Sequence, residues 1–292
     1  MYAVISPSEP APARALRHTP RTSGVLDAVI ERRAKGDVLA HVYACAPLRL
    51  MVPRVDADEP LTGIVVNTAG GIVGGDRLRA QVTLGAGSGA LLIGQAAEKV
   101  YRSAGDDATL ACRYRLAAGA VLEVLPQGTI LFDGARLRRV TEVGRHPTAR
   151  LLAGEVLVLG RIGMGETFAR GLLHDRWVVA CDSGARWIDA LRLEADIARL
   201  HDAAAGLAGA RALATVVYAA DDAPACQELA RALLAAAPAG VRAAATVVAG
   251  VLLVRWLGAD PAAVRAALGA FWSAFRAHAL GRPARLPVVW HR

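Results

Sequence analysis

The stretch Asn67-Thr-Ala-Gly-Gly-Ile-Val-Gly-Gly-Asp-Arg-Leu78 joins two runs rich in Val, Leu and Ile, at Leu61–Asn67 and Leu78–Leu84. Its two glycine pairs predict a tight turn, because glycine adopts positive φ and lets backbones approach closely. A phosphate-binding loop would place Lys and then Ser or Thr after its last glycine, whereas this stretch has an acidic residue and an arginine. We therefore interpret it as a structural turn that presents one carboxylate. The residues concerned are Gly70, Gly71, Gly74, Gly75, Asp76 and Arg77.

Short apolar runs of this kind, broken by Gly, Pro or Asp, predict a mainly β protein. Some alternate in polarity, as Cys112–Leu116 does, which is the period of a half-buried strand. No amphipathic helix lies between the runs, so they exclude a doubly wound α/β sheet and favour a sandwich, a barrel or an irregular coiled solenoid. The other predicted strands are Val38–Ala44, Ala90–Gln95, Ala108–Leu116, Ala120–Leu125, Leu137–Val143, Arg150–Leu159, Leu172–Cys181, Arg186–Glu194, Ala214–Ala219 and Ala245–Val254.

Two α-helices are predicted in the C-terminal part of the chain. Asp222 is expected to cap a helix that ends near Ala237, and Asp260 followed by proline is expected to start a helix that ends near Leu280. Apolar residues recur at helical spacing in the second helix and predict a face packed on the β body, with docking of a partner protein as the alternative.

Composition is typical of a globular protein, with 54% hydrophobic residues in 292. We expect a disordered tail over residues 1–22 and a single domain over residues 23–292. The formal net charge of +8 is scattered along the chain, and only 5% of residues are aromatic, which argues against nucleic-acid binding and favours an acidic protein partner.

Localisation is also suggested by composition. The four cysteines are far apart, with no C-x-x-C pair, which favours a reducing compartment over a zinc site or a disulfide framework. The first 22 residues lack the pattern of a secretory signal, and the apolar stretch Ala243–Val254 is too short to cross a bilayer. We therefore expect a soluble, cytoplasmic protein with no membrane partner.

Two further motifs have competing interpretations. The stretch Gly85–Ala90 nearly matches a dinucleotide-binding turn, but the following residues predict a strand where that motif needs a helix, so we interpret it as a tight hairpin. The stretch Glu98–Arg102 packs Lys99, Tyr101 and Arg102 beside a carboxylate. A lysine acts as a general base only if burial lowers its pKa, so a polar contact patch is favoured over catalysis.

Several carboxylates lie beside glycine or within apolar runs, where a charge needs a partner. The simpler interpretation is that these carboxylates form structural ion pairs with Arg136, Arg138, Arg161 or Arg170. The alternative is that they share a polar interior that holds a divalent cation weakly. No histidine accompanies them at a fixed spacing, which argues against a tight metal site. These carboxylates are Glu123, Asp133, Glu155, Glu166 and Asp182.

The motifs together resemble, in order, those of the urease accessory proteins of the UreD family, called UreH in some organisms. The resemblance covers about Gly24 to Trp290, with departures at Ile93–Glu98, where the family usually has a Thr-Thr-Pro-Gly-like turn, and at Gly128, where Glu is common. The matching segments are Pro47–Arg49, Asn67–Leu78, Glu98–Ser103, Leu122–Gln127, Thr129–Arg136, Gly154–Arg161, Gly165–Glu166 and Leu286–Trp290.

The resemblance implies an irregular β-helical body that catalyses no reaction and helps to mature the nickel enzyme urease. It implies binding to a UreF-like helical protein, through it to a UreG-like GTPase, and to apo-urease. It also implies a water-filled passage for transient nickel(II) and no tightly bound cofactor. By motif, the transit candidates are Asp76, Glu98, Glu155 and Glu166, then Asp133. The partner-binding or structural candidates are Lys99, Tyr101, Arg102, Arg161, Arg77 and the four glycines of the turn.

Two other classes of function stay open. One is an enzyme that holds a phosphate-bearing substrate or nucleotide with the loop Asn67–Arg77 or the turn Gly85–Gly89. The other is a plain β protein whose excess arginines bind an acidic partner without metal traffic.

Overall fold

The computed structural model describes residues 22–182, 184 and 186–291, without the side chains of Arg186 and His291. The tail predicted over residues 1–22 therefore lies outside the described residues, apart from Thr22. The strands are β1 (Ser23–Arg33), β2 (Gly36–Cys45), β3 (Leu48–Met51), β4 (Leu61–Asn67), β5 (Arg77–Leu84), β6 (Gly89–Gly94), β7 (Glu98–Val100), β8 (Ala108–Leu116), β9 (Val121–Leu125), β10 (Thr129–Leu131), β11 (Arg136–Arg145), β12 (Arg150–Leu159), β13 (Leu172–Cys181), β14 (Arg186–Glu194), β15 (Ala212–Ala219), β16 (Val241–Val248) and β17 (Val251–Gly258). The α-helices are α1 (Ile197–Asp202), α2 (Gln227–Leu234) and α3 (Pro261–Leu280).

The strands form two sheets that the chain visits in turn. Sheet A has the order β14-β13-β11-β8-β5-β1-β2, and sheet B has the order β16-β17-β15-β12-β9-β6-β4-β3 with β10 and β7 attached beside β12. From β4 to β13 the chain alternates between the sheets, and the strands it stacks are parallel, as in β5-β8-β11-β13 and β4-β6-β9-β12. This winding is that of a solenoid, so the predicted irregular β-helix-like body is confirmed.

The burial of each sheet explains its sequence pattern. In β11 of sheet A buried and more exposed residues alternate, because one face of the sheet meets solvent. In β12 of sheet B almost every residue is buried, because one face packs on sheet A and the other on the helices. The predicted apolar face of α3, which includes Leu268 and Trp272, is buried on the outer face of sheet B, so it packs on the β body as expected.

The two predicted helices start differently. The Asp260 side chain accepts a hydrogen bond from the Ala262 N–H at 2.9 Å and α3 ends at Gly281 in the left-handed conformation, as an N-cap and a C-cap should. Asp222 was predicted to cap a helix up to Ala237, which is wrong. Its carboxylate instead accepts from the Tyr218 hydroxyl at 2.7 Å, and a short 3₁₀ turn precedes the α-helix Gln227–Leu234.

Two other local predictions are corrected, and five elements were not predicted. The run Ala245–Val254 is not one strand, because a turn at Ala249 and Gly250, both with positive φ, folds it into the antiparallel pair β16 and β17. The stretch Gly85–Ala90 is not a hairpin, because β5 belongs to sheet A and β6 to sheet B, so it is a crossing between sheets. The sequence pattern also missed β1, β3, β7, β10 and α1.

Candidate functional site

A cavity of about 370 Å³ lies between the two sheets and has room for several water molecules. Apolar side chains from both sheets form much of its wall, among them Leu78 and Trp177 of sheet A and Leu92 of sheet B. Polar side chains line the rest of it. They include Asn67, Gln95, Glu98, Lys99, Thr129, Arg139, Thr141 and Glu155.

Glu98 lies at the partly exposed end of this polar lining. The Asn67 side-chain amide donates to its two carboxylate oxygens at 3.1 and 3.3 Å. Burial raises the pKa of Glu98 above its ordinary value, and the Asn67 amide, the Lys99 N–H and the Lys99 charge oppose that rise. Among the described residues no arginine or lysine lies within ion-pair distance of this carboxylate, so its oxygens are available to a solute in the cavity.

Glu155 lies deeper, in a network of buried charges. The Arg139 guanidinium donates to Glu155 Oε2 at 2.6 Å and to both oxygens of Asp175 at 2.9 and 2.7 Å. The Thr129 hydroxyl donates to Glu155 Oε1 at 3.1 Å. All four residues are less than 9% exposed, so this network satisfies polar groups that would otherwise be buried without partners.

The charge state of Glu155 is set by this environment. Burial raises the pKa of Glu155 to about 7, because desolvation outweighs the attraction of Arg139 and Asp175 adds a nearby negative charge. The pKa of Arg139 is raised as well, by its two carboxylates against the effect of burial, so the guanidinium stays charged. Burial thus favours the protonated form of Glu155, and the Arg139 charge opposes it.

Strand register places Glu98 and Glu155 in one continuous row. Glu98 on β7 lies directly opposite Thr129 on the parallel strand β10, so both side chains project from the same face. The Thr129 hydroxyl in turn contacts Glu155 on β12. We call this set the polar row. It consists of Asn67, Glu98, Thr129, Glu155, Arg139 and Asp175.

Sheet B has a break in its pairing beside Glu155. Strands β9 and β10 both pair with β12, but the segment Pro126–Gly128 between them does not, so β12 has no strand partner on this side from Gly154 to Val156. Pro126, Gly128, Gly154 and Glu155 all line the cavity. Gly128 has φ of +107° and packs so closely that a Cβ would lie 3.1 Å from the Val156 carbonyl oxygen. A glycine is therefore suited to this bend.

A thiol and a phenol also face the cavity, from β8. Burial raises the pKa of the Cys112 thiol to about 11, and it raises the pKa of Tyr114 well above its ordinary value. The thiol is therefore protonated at neutral pH. Because the thiolate is the form that binds metals, Cys112 is a poor ligand here.

Asp76 lies away from the cavity and holds the glycine-rich turn together. Its carboxylate accepts from the Thr22 N–H at 3.1 Å and from the Val73 N–H at 3.0 Å. The side chain is 4% exposed. These contacts tie β1 to the start of β5, as expected for a structural turn, and Arg77 beside it is exposed.

Asp133 and Glu166 lie together outside the cavity lining. Glu166 accepts from the Asp133 N–H at 2.9 Å and pairs with Arg161. Asp133 accepts from the N–H groups of Ala169 and Arg170 at 3.0 Å. The predicted pairing of these carboxylates with Arg161 and Arg170 is therefore seen, and the pKa of Glu166 is lowered by the Arg161 hydrogen bond.

The remaining motif residues form a band on the surface next to Glu98. The Tyr101 hydroxyl donates to the Gly70 carbonyl at 3.2 Å, and the Tyr101 ring meets Phe132 edge to face. The Arg161 guanidinium lies over the Phe132 ring, 4.6 Å from the ring centre. Arg102 donates to the Asp133 carbonyl. We call this set the motif band. It consists of Gly70, Gly71, Tyr101, Arg102, Phe132, Asp133, Arg161 and Glu166.

Glycine is required in the turn where the motif band meets the backbone. A Cβ on Gly71 would lie 2.7 Å from the Lys99 carbonyl oxygen and closer still to the Tyr101 ring, and one on Gly74 would lie 2.7 Å from the Asp106 carbonyl oxygen. Gly75 adopts φ of +92° and donates to the Asp107 carbonyl. The glycine pairs thus serve close packing against the Glu98–Ser103 segment.

The predicted partners of the buried carboxylates were partly wrong. Arg136 and Arg138 both pair with Asp107, whereas Glu155 pairs with Arg139 and Glu123 pairs with Arg276 of α3. Alternation offered a signal for Arg139, because it has the same parity in β11 as the buried Leu137 and Val143. The roles of Asp175 and Thr129 had no such signal, since they depend on contacts between distant strands.

Two features are absent from the part of the chain that the structure describes. No helix there is long and apolar enough to span a bilayer. No group of three or more His, Cys, Asp or Glu side chains there is arranged to hold a metal ion.

The winding of the sheets and the polar row define a class of protein, a β-solenoid with a carboxylate-lined internal cavity. A family model described as UreD urease accessory protein matches residues 22–291. Urease accessory protein UreD of Magnetococcus marinus is 44% identical over 255 residues, which are 86% of this chain and 88% of that protein. Urease accessory protein UreD 2 of Methylorubrum populi is 43% identical over 84% of this chain and 80% of its own length.

A third relative extends the match to almost the whole chain. Urease accessory protein UreD of Dinoroseobacter shibae is 38% identical over 287 residues, which are 97% of this chain and 98% of that protein. The chain belongs to the UreD family of urease accessory proteins, which confirms the resemblance seen in the motifs and supports a role in urease maturation.

Proposed function

We propose that this chain serves urease maturation as a scaffold with an internal passage, and that nickel(II) is passed along the polar row while no covalent bond is made or broken. The observation that carries the proposal is the cavity between the sheets with Glu98 and Glu155 in its wall. Membership of the UreD family supplies the process in which such a passage would serve.

The donor set suits transit rather than storage. Carboxylate, amide and hydroxyl oxygens hold a borderline cation less tightly than imidazole or thiolate does, and a conducting route needs sites that are favourable to enter and weak enough to leave. The row offers the carboxylates of Glu98 and Glu155, with the Thr129 hydroxyl oxygen beside Glu155. The protonated Cys112 thiol does not compete for the ion.

Partner binding is the second half of the proposal. We propose that a UreF-like helical protein docks on the motif band, that a UreG-like GTPase joins through it, and that apo-urease receives the nickel. The band lies beside Glu98, at the partly exposed end of the polar row, so a partner bound there can deliver an ion directly to the cavity. The excess positive charge of the chain favours acidic partner surfaces.

The alternative of a phosphate-binding enzyme is less well supported. A phosphate cradle needs free backbone N–H groups, yet in the glycine-rich turn Ile72 donates to Lys99 and Gly75 to Asp107. The crossing at Gly85–Ala90 leads into strand β6 rather than a helix N-terminus.

The test is nickel loading of urease by variants of the polar row. Urease is produced together with its accessory proteins, and this chain carries Glu98→Gln or Glu155→Gln. The nickel content of purified urease should fall severalfold, while the UreF-like protein still co-purifies with the variant. Unchanged nickel content in both variants would refute the passage.

A matched control and a surface variant complete the test. Glu142→Gln makes the same chemical change on β11, but at a side chain 43% exposed and paired with Arg113, so it should leave nickel content unchanged. Glu166→Gln changes the motif band away from the cavity lining. We expect it to weaken co-purification of the partner more than it weakens loading by complexes that do form.

A further inference from the structure

Arg139 crosses the cavity and joins the two sheets. Its backbone belongs to β11 of sheet A, where it lies directly opposite Asp175 of β13. Its guanidinium reaches Glu155 and Thr129, which belong to strands of sheet B. The side chain is 5% exposed, so a full positive charge stands in the wall of the proposed passage.

The two ends of this bridge differ in strength. Asp175 is held by a fork, since Arg139 Nε and Nη2 donate to its two oxygens at 2.9 and 2.7 Å. Glu155 is held by one nitrogen, Nη1, at 2.6 Å, and its other oxygen has only the Thr129 hydroxyl. Glu155 can therefore be released while the guanidinium keeps both bonds to Asp175.

The groups that bind the guanidinium are ones that a metal ion could also bind. Two buried carboxylates and a hydroxyl converge on the guanidinium, and these are oxygen ligands that a divalent cation accepts. Without Arg139 the same oxygens would lie together with no counter-cation, and a divalent cation that bound them would displace any proton they hold. Such a site would bind a divalent cation more tightly than a transit site should.

We propose that Arg139 is a tethered counter-cation that keeps the inner carboxylates from trapping the metal ion, so that an ion binds both oxygens of Glu155 only by displacing one guanidinium bond. This inference rests on the proposed passage of nickel, and it makes Arg139 a positioning residue that sets how fast an ion leaves. Glu98 lacks such a partner among the described residues, so the row would admit an ion at Glu98 and limit its residence at Glu155.

The test measures binding of Co²⁺ to the purified full-length chain, with visible absorption of the bound ion as the readout. Arg139→Gln should lower the Kd for Co²⁺ at least tenfold and retain one additional ion per chain through gel filtration. The double variant Arg139→Gln/Glu155→Gln should lose that ion, because one of its carboxylates is gone. Arg139→Gln that folds and binds Co²⁺ no more tightly than the unmodified chain would overturn the proposal.

A second variant covers loss of folding. Arg139→Lys keeps the charge but offers one ammonium group in place of the fork, so it should satisfy one carboxylate and lower the Kd for Co²⁺ by a smaller factor. If Arg139→Gln does not fold, unchanged Co²⁺ binding by Arg139→Lys overturns the proposal.

Nickel loading of urease separates this inference from the function on which it rests. With a trapped ion, Arg139→Gln should slow loading of urease, and excess nickel should not restore the rate. If Co²⁺ binding tightens as expected but Glu98→Gln and Glu155→Gln load urease normally, the proposed role of Arg139 is supported and the proposed nickel passage is refuted. If Glu98→Gln and Glu155→Gln fail to load urease but Arg139→Gln leaves Co²⁺ binding unaltered, the nickel passage is supported and the proposed role of Arg139 is refuted.

Discussion

Two buried arginines each pair with two carboxylates, but one cluster is packed on all sides and the other borders a cavity. Arg276 of α3 donates to Glu123 of β9 at 2.8 and 2.9 Å and to Glu59, just before β4, at 2.8 and 3.2 Å. It also donates to two backbone carbonyls of the segment after α3. Arg139 has the same number of acidic partners, yet its cluster lines the space between the sheets.

The difference shows that composition does not decide what a buried ion cluster does. Both oxygens of Glu123 are bound by Arg276, which is 0% exposed and fixes α3 against sheet B. One oxygen of Glu155 is bound only by a hydroxyl, and solvent space lies beside it. The first cluster is therefore suited to holding the fold together, and the second to exchanging a proton or a cation.

The largest expected effect comes from removing each arginine in turn. Arg276→Gln leaves two carboxylates in a packed interface, and breaking a buried pair in this way costs about 3–5 kcal/mol of unfolding free energy. Arg139→Gln should cost less, about 1–3 kcal/mol, because water in the cavity can hydrate Glu155. Urea-induced unfolding of the two variants beside the unmodified chain measures both values.

Arg285→Gln serves as the control for this pair of variants. Arg285 also contacts Glu59, but its side chain is 46% exposed and its other partners are Asp56 and Asp58 at the surface. Surface ion pairs contribute about 0–1 kcal/mol, so little change is expected. Equal destabilisation by Arg276→Gln and Arg139→Gln would show that water in the cavity does not reduce the cost of removing Arg139.

A smaller effect is expected on the pH dependence of stability. The pKa of Glu155 is raised by burial from 4.5 to about 7, so between these values the folded protein keeps a proton that the unfolded chain releases. The protonated Glu155 therefore contributes fully to the unfolding free energy below pH 4.5, and this contribution is lost as the pH rises through 7. Glu155→Gln removes that dependence, and the stability difference between the unmodified chain and the variant should fall by up to about 3 kcal/mol over this window.

The measurement is urea unfolding of both chains at pH values across that window. Glu142→Gln, on the outer face of β11, controls for loss of a carboxylate in general. A stability difference that stays constant with pH would mean that Glu155 is ionised throughout, and the contrast with the packed cluster would then disappear.

Much of the fold could be predicted because alternation and glycine turns are local signals. Strands such as β4, β8 and β12 were predicted with their exact bounds, since Pro60, Asp107 and Gly160 each mark one end of these apolar runs. Strands β7 and β10 were missed because each has three residues and is defined by pairing with a distant strand rather than by its own pattern. The turn at Ala249 was missed because alanine rarely takes positive φ.

The candidate site was predicted only in part, for a related reason. Motifs brought Glu98 and Glu155 to attention, and the structure places both in the cavity wall. They brought Asp76 to attention equally, although its carboxylate accepts the backbone N–H groups of Thr22 and Val73. Sequence spacing cannot separate these cases, because whether a carboxylate faces a cavity or a backbone depends on how the two sheets stack. Their roles in nickel transit stay predictions.

The most local test of the contrast is Thr129→Val, which keeps the volume of the side chain and removes its hydroxyl. Thr129 donates to Glu155 Oε1 at 3.1 Å and lies 3.3 Å from Arg139 Nη1, so the variant should lose about 1 kcal/mol of unfolding free energy, as for one hydrogen bond. Thr141→Val makes the same change on the cavity wall outside these hydrogen bonds and controls for apolarity alone. Because the hydroxyl favours the ionised form of Glu155, its loss should also move the titration of Glu155 to higher pH. If Thr129→Val leaves both stability and its pH dependence as in Thr141→Val, the Thr129 hydroxyl contributes nothing measurable at Glu155 Oε1, and water in the cavity replaces its hydrogen bond.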